Sequence, residues 1–318
     1  MEFRTIVELP ERSVTLSPHS SVVLLGSCFA QNIGERMQEE MPDGSVCVNP
    51  FGVLYNPESI RTALEIMLFG SLFFPDEYIF QGRDGLWHSW LHSGAFSSPE
   101  RSSCVETIKK SYDTATASLR TANVLCVTFG TNRVYEHKQR GFVVGNCHKE
   151  LPATFAECQL GVEDIIASWD IILNELEKEL PELKVVFTVS PYRYAKYGFH
   201  DSQLAKATLL LAVENLCQKH INVCYFPAYE IVLDELRDYR FFSPDMLHPS
   251  PQASDYVWKR FSEWSFSEEL RLYSRERIAL MKMEAHKTLF PDSEEDKSFQ
   301  QKLEKKRIAF QKKWGLKR

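Results

Sequence analysis

The sequence predicts an α/β protein built on a doubly wound parallel sheet, and three observations carry that prediction. Five short apolar runs, at residues 22–25, 45–48, 123–129, 185–189 and 223–226, have the length and composition of strands buried on both faces. Between them lie segments with apolar residues at three- and four-residue spacing, so strands and helices alternate. Each run is followed closely by Gly, Pro, Asn or Ser, the residues that turn a chain. Right-handed crossovers would fold such a chain into one sheet with helices on both sides.

Taken in order, residues 1–21 read as a leader that packs on the domain, with an edge strand expected at Thr5–Leu9. Val22–Leu25 is the first buried strand and Gly26 breaks it. Phe29, Ala30, Ile33 and Met37 then mark a helix with one buried face, which ends near Glu40–Met41. Ser45–Val48 is the second strand, Asn49-Pro50-Phe51-Gly52 its loop, and Asn56-Pro57 starts a helix that runs to residue 69. From 70 to 103 the periodicity dissolves into an aromatic-rich insertion containing His88 and His92. Irregular segments of that length usually serve as lids or binding loops. A helix is expected over 104–121, then the third strand, ended by Gly130-Thr131-Asn132. Phe142–Val144 suggests a small hairpin ahead of GNCHKE. Helices follow at 160–179 and 202–219, flanking the fourth strand, and 228–238 gives a helical turn or two after the fifth. FFSPDMLHPSP is a loop, helix is expected over Ala253–Glu269, and the remainder to residue 290 is also read as helical. Residues 1–290 thus read as one domain, and 291–318 as a charged, solvated helical tail.

With 37 Lys and Arg against 43 Asp and Glu, the net charge is −6, so no electrostatic footprint for nucleic acid exists. The eight cysteines are scattered without a C-x-x-C pair, the thiol usage of a reducing compartment. The first residues lack the apolar core of a secretory signal, and no apolar run reaches the roughly 20 residues a membrane span requires. A cytoplasmic protein with no membrane contact is expected.

The chemistry centres on GSCFA at residues 26–30. Ser27 stands where a buried strand passes into a helix, a junction whose backbone N–H groups face the crevice at the strand ends. Ser is also a favoured helix N-cap, so capping alone would explain it. Acyl transfer by serine needs a histidine base, a carboxylate to orient it and donors for the oxyanion. Asp245 and His248, three apart in SPDMLHPS, can be presented together by one local turn. Ser27 N–H, Gly52 and Asn132 are candidate donors, although Gly and Asn are also ordinary turn residues. Cys28 at the helix start is an alternative nucleophile. His88, His92 and His148 could instead hold a metal, but no carboxylate motif accompanies them, and none is expected.

The pentapeptide, together with VNPFGVLYNP, GLWHSW, TFGT, GNCHK, FTVSPYR and YFPAYEIVLDELRDYRFFSPDMLHPS, resembles the blocks of the GSCFA-domain family over roughly residues 20–265. That family is grouped with the SGNH (GDSL-like) hydrolases. The resemblance implies a three-layer α/β/α sandwich of flavodoxin-like type with a five-stranded parallel sheet. It implies a Ser27–His248–Asp245 triad, an oxyanion hole from Ser27, Gly52 and Asn132, and no cofactor. Asn146 or His148 in GNCHK can stand in for Asn132, and Asn146, His148, His88, His92 and Tyr194 are candidates for the substrate pocket. Cys28 occupies the place of the aspartate in a GDS motif. Tyr194-Ala195-Lys196-Tyr197-Gly198 stands where relatives often carry His-x-Lys-Asp-Gly. The expected reaction is hydrolysis of a carbohydrate or other small-molecule O-acyl ester, with short acyl groups. An O-acyltransferase using the same acyl-enzyme, and a non-catalytic binding module, remain the alternatives.

Overall fold

The computed structural model describes residues 4–70, 75–288, 290–291 and 293–315. The chain runs β1 (Val22–Gly26), α1 (Cys28–Glu40), β2 (Val46–Val48), α2 (Pro57–Phe69), β3 (Ile79–Gln81), β4 (Trp87–Ser89), α3 (Arg101–Arg120) and β5 (Val124–Phe129). It continues with β6 (Arg133–His137), β7 (Phe155–Gln159), α4 (Val162–Glu179), β8 (Lys184–Val189), α5 (Phe199–Lys219), β9 (Val223–Tyr225), α6 (Ala228–Glu230), α7 (Pro251–Ser265), α8 (Glu268–Glu284) and α9 (Glu294–Trp314).

Five strands form one parallel sheet in the order β2-β1-β5-β8-β9. Counting only these strands along the chain, the order is 2-1-3-4-5, which is flavodoxin-like. Successive side chains on a strand face opposite sides, and β1 illustrates this. Val23 and Leu25 enter one core with Leu64, Trp169 and Leu209, while Val22 and Leu24 enter the other with Met37, Phe261 and Phe266. Both faces are therefore dry, which is why the strands read as continuous apolar runs. The outcome is the three-layer α/β/α sandwich expected from the sequence.

Several local expectations are corrected. Residues 5–9 form no strand: the Val7 N–H donates to Glu235 Oε2 at 3.1 Å, and Arg260 donates to the Val7 carbonyl. Side chains, not a sheet edge, satisfy that backbone. The small hairpin expected around Phe142–Val144 is present as a turn back onto β6, with His137 N–H donating to the Phe142 carbonyl at 2.9 Å, Val144 N–H to the Tyr135 carbonyl at 2.8 Å and a bridge from Val143 to Glu136; what was not expected is that β6 also pairs with β7. The insertion, of which residues 71–74 lie outside the described part, contains the hairpin β3–β4. The helix expected over Ala253–Glu269 ends at Ser265, and the helical remainder is a second helix, α8. Ser267 caps α8, its hydroxyl accepting from Leu270 N–H. The amphipathic tail helix α9 lies against α8, with Phe310 and Trp314 on the Tyr273 ring.

Candidate active site

The carboxyl ends of β1, β5 and β8 open into a cavity of about 440 Å³ lined by Ser27, Asn56, Gly130, Ser190, Tyr192 and His248, among others. Each of these arrives there for a local reason.

Gly26 sits at φ +145°, and a Cβ on it would lie 2.4 Å from the Thr128 carbonyl oxygen, so the chain passes β5 at backbone distance. Ser27 follows as the N-cap of α1. It is 3% exposed, and its Oγ accepts from Phe29 N–H at 3.2 Å. Helix capping and cavity lining are thus combined in one hydroxyl. The first N–H groups of α1 have no intrahelical acceptor and make this end of the helix receptive to negative charge.

Asp245 and His248 form a closed turn. Asp245 Oδ1 accepts from the N–H of Leu247 at 2.9 Å and of His248 at 3.0 Å, and Oδ2 bonds His248 Nδ1 at 2.5 Å. Met246, at φ +58°, gives the turn its left-handed step. The His248 imidazole and these two N–H groups hold the Asp245 carboxyl down at about 2. With Nδ1 so engaged, Nε2 is the ring nitrogen left for the cavity. The Tyr192 ring lies 4.4 Å from that of His248. Burial, then the Asp245 charge, pushes the Tyr192 phenol up. No hydrogen bond joins Ser27 to His248 here, as is common for such pairs in unliganded sites.

The other expected site residues divide. Asn146 and Tyr194 line the cavity; Gly52, Asn132, His88, His92 and His148 do not. Gly52 N–H donates to the Asn49 carbonyl at 2.7 Å inside its own turn. Asn132 Nδ2 donates to the Leu160 carbonyl at 2.9 Å, tying down the loop before α4. Both donors are consumed by local structure. His88 is held between Ser97 and Asp84, His92 bonds Ser89 and stacks on Phe51, and His148 bonds the Ser89 carbonyl. Burial drives the His92 imidazole down to about 3, so it is neutral packing material. Among the described residues no three His, Cys, Asp or Glu side chains converge as metal ligands.

Asn56 is the residue sequence reasoning passed over, having been read only as a helix start. Its Oδ1 caps α2 by accepting Ser59 N–H at 2.8 Å, which leaves the Nδ2 amide for the cavity it lines. The segment is held beside the serine, since Leu54 N–H donates to the Gly26 carbonyl and Tyr55 hydroxyl lies 3.3 Å from Cys28 Sγ. Residue type gave no signal, because Asn is as ordinary a helix cap as Ser or Asp.

Among the described residues, no helix is long and apolar enough to cross a membrane. No curated protein matches the sequence. Solved structures similar to the chain include one described as a platelet activating factor of Streptococcus pneumonia (10% identity, 76% of this chain and 84% of that one, TM-score 0.38). Another is described as a GDSL-like lipase of Parabacteroides merdae (13% identity, 80% and 100%, TM-score 0.34). A third is a carbohydrate esterase of family 3 from Talaromyces cellulolyticus (9% identity, 80% and 99%, TM-score 0.34). The GSCFA family matches residues 21–261, well over half of the sequence. The chain belongs to the GSCFA family.

Proposed function

We propose that the protein is a serine ester hydrolase of the SGNH type, acting on small-molecule or carbohydrate O-acyl esters with short acyl groups. The observation that carries this reading is His248, bonded at 2.5 Å to Asp245, lining the same cavity as a serine at a helix N-terminus.

Ser27 Oγ attacks the ester carbonyl as His248 Nε2 takes its proton, and Asp245 stabilises the imidazolium that results. The tetrahedral oxyanion is met by Ser27 N–H and the Asn56 amide, with the Asn146 amide on the same wall. Each such donor is worth about 3 kcal/mol in the transition state. As the intermediate collapses, the C–O bond to the alcohol breaks and His248 returns the proton to the leaving oxygen. Water, deprotonated by His248, then releases the acid and regenerates Ser27.

A carbohydrate or comparably compact alcohol is favoured by a cavity of about 440 Å³ whose walls include the side chains of Tyr55, Tyr192, Tyr194, Asn56 and Asn146. All eight cysteines are unpaired, which agrees with a cytoplasmic location. Residues 1–290 are taken as the catalytic unit and 291–318 as an accessory tail, and neither nucleic acid nor a membrane is needed.

The test is hydrolysis of aryl acetates by the wild type, Ser27→Ala and His248→Ala. Turnover lost in both variants supports the reading, and turnover retained in Ser27→Ala refutes it. Turnover only with an added acceptor alcohol would make the reaction acyl transfer.

A further inference from the structure

One charged group beside the cavity has no part in the scheme above. Lys206, near the start of α5, is 2% exposed. Its Nζ donates to the Gly130 carbonyl at 2.6 Å and to the Ser190 carbonyl at 2.7 Å. Gly130 directly follows β5 and Ser190 directly follows β8, the two adjacent central strands, and both residues line the cavity. Among the described residues no carboxylate forms an ion pair with Lys206, and Tyr229 lies below it with its ring centroid 5.9 Å away.

Two neutral carbonyls need only neutral donors, so an ammonium is an expensive way to satisfy them. Removing a charge from water without an opposite charge is unfavourable, and burial accordingly pushes Lys206 down to about 7. A positive charge held in a dry site beside the place where an oxyanion forms is, however, the arrangement that favours a negative transition state over a neutral ground state. Ser190 extends the effect further. The segment after it carries Tyr192, which packs on His248, and Arg193, whose N–H donates to the Leu247 carbonyl in the His248 turn.

We propose that Lys206 is a positioning residue for the ester hydrolysis proposed above. It joins the two strand ends that floor the cavity and holds behind them a cationic group that no carboxylate among the described residues pairs. The inference rests on the serine-hydrolase reading, and the two can be tested separately.

The test uses the full chain and an aryl boronic acid, which forms an anionic tetrahedral adduct when Oγ bonds to boron and the proton passes to His248. Affinity is measured by calorimetry for the wild type, Ser27→Ala, Lys206→Gln and Lys206→Met. Glutamine keeps amide donors for the two carbonyls and removes the charge; methionine removes both. The expected result is boronate affinity abolished in Ser27→Ala and at least tenfold weaker in Lys206→Gln. In aryl acetate hydrolysis, Lys206→Gln should lower kcat at least tenfold with KM within threefold. A folded Lys206→Gln protein that binds boronate and turns over within twofold of the wild type overturns the role of Lys206 and leaves the serine reading intact. Boronate bound equally by Ser27→Ala and the wild type overturns both. Should Lys206→Met fail to fold, the glutamine variant decides alone.

Discussion

Arg193 reaches across to Met246, its guanidinium Nη1 donating to the Met246 carbonyl at 3.0 Å, while its own N–H holds the neighbouring Leu247 carbonyl at 3.0 Å. The guanidinium is braced over the rings of Phe199, Tyr239 and Phe242. A loop that follows β8 thereby fixes the turn between Asp245 and His248. Arg193→Ala should lower kcat by about tenfold to a hundredfold, because small misplacements of a catalytic group are costly. Hydrogen exchange at residues 246–248 should quicken in parallel, and Arg193→Lys should recover part of the loss. Unchanged exchange in Arg193→Ala would show that the turn holds itself.

The carboxylate of Asp245 is matched to the Nδ1–H of His248, so Asp245→Asn should present the wrong tautomer and cut kcat about 10⁴-fold with little change in KM. Its pH behaviour has a definite sign. The folded-state value of about 2 lies below the ordinary carboxylate range, so the stabilisation is present above that range and is lost as pH falls through 2. The melting temperature of the wild type should approach that of Asp245→Asn between pH 4 and 2. For a group this exposed the effect is small, and a differential scan at low salt is the measurement that detects it.

Asn56 and Asn132 separate donors to the cavity from donors to the fold. Asn56→Asp keeps the cap on α2 and removes the amide, so kcat should fall about 10²- to 10³-fold with stability nearly preserved. Asn132→Ala should lower the melting temperature through loss of its bond to Leu160 and leave kcat within about threefold. The reverse pattern would return the oxyanion donor to Asn132.

His92 makes the insertion sensitive to acid. An imidazole depressed by burial to about 3 is neutral in the folded state and protonates near 6.5 once unfolded. Stability is therefore complete above about pH 6.5 and declines progressively as pH falls toward 3. His92→Phe keeps the ring against Phe51 and Phe96 and should flatten that decline in a thermal-melt series from pH 7 to 4.

What could be read from the sequence follows from how much of it obeys a single constraint. The central strands β1, β5 and β8 are buried on both faces and the edge strands β2 and β9 partly so, so their apolar runs carry one message, and the β1–Ser27–α1 junction and the Asp245–His248 turn are local in sequence. Gly52 and Asn132 misled because residue type does not show where a donor is spent; Asn49 and Leu160 take theirs. The β6–β7 ribbon is hidden in the sequence because Arg133 and Glu136 in β6 fall on opposite faces, so no clean alternation marks the strand, and its partner Phe155–Gln159 follows only after a long irregular loop. The insertion histidines resembled a ligand set, yet their partners Ser89, Ser97 and Asp84 turn them into structural hydrogen-bonding groups.

Whether Ser27 is the nucleophile is decided by peptide mass spectrometry after fluorophosphonate treatment. One phosphonyl group is expected on the peptide containing Ser27, absent in Ser27→Ala and strongly slowed in His248→Ala. A label on Cys28 or on any other residue, or labelling that persists undiminished in Ser27→Ala, would contradict it.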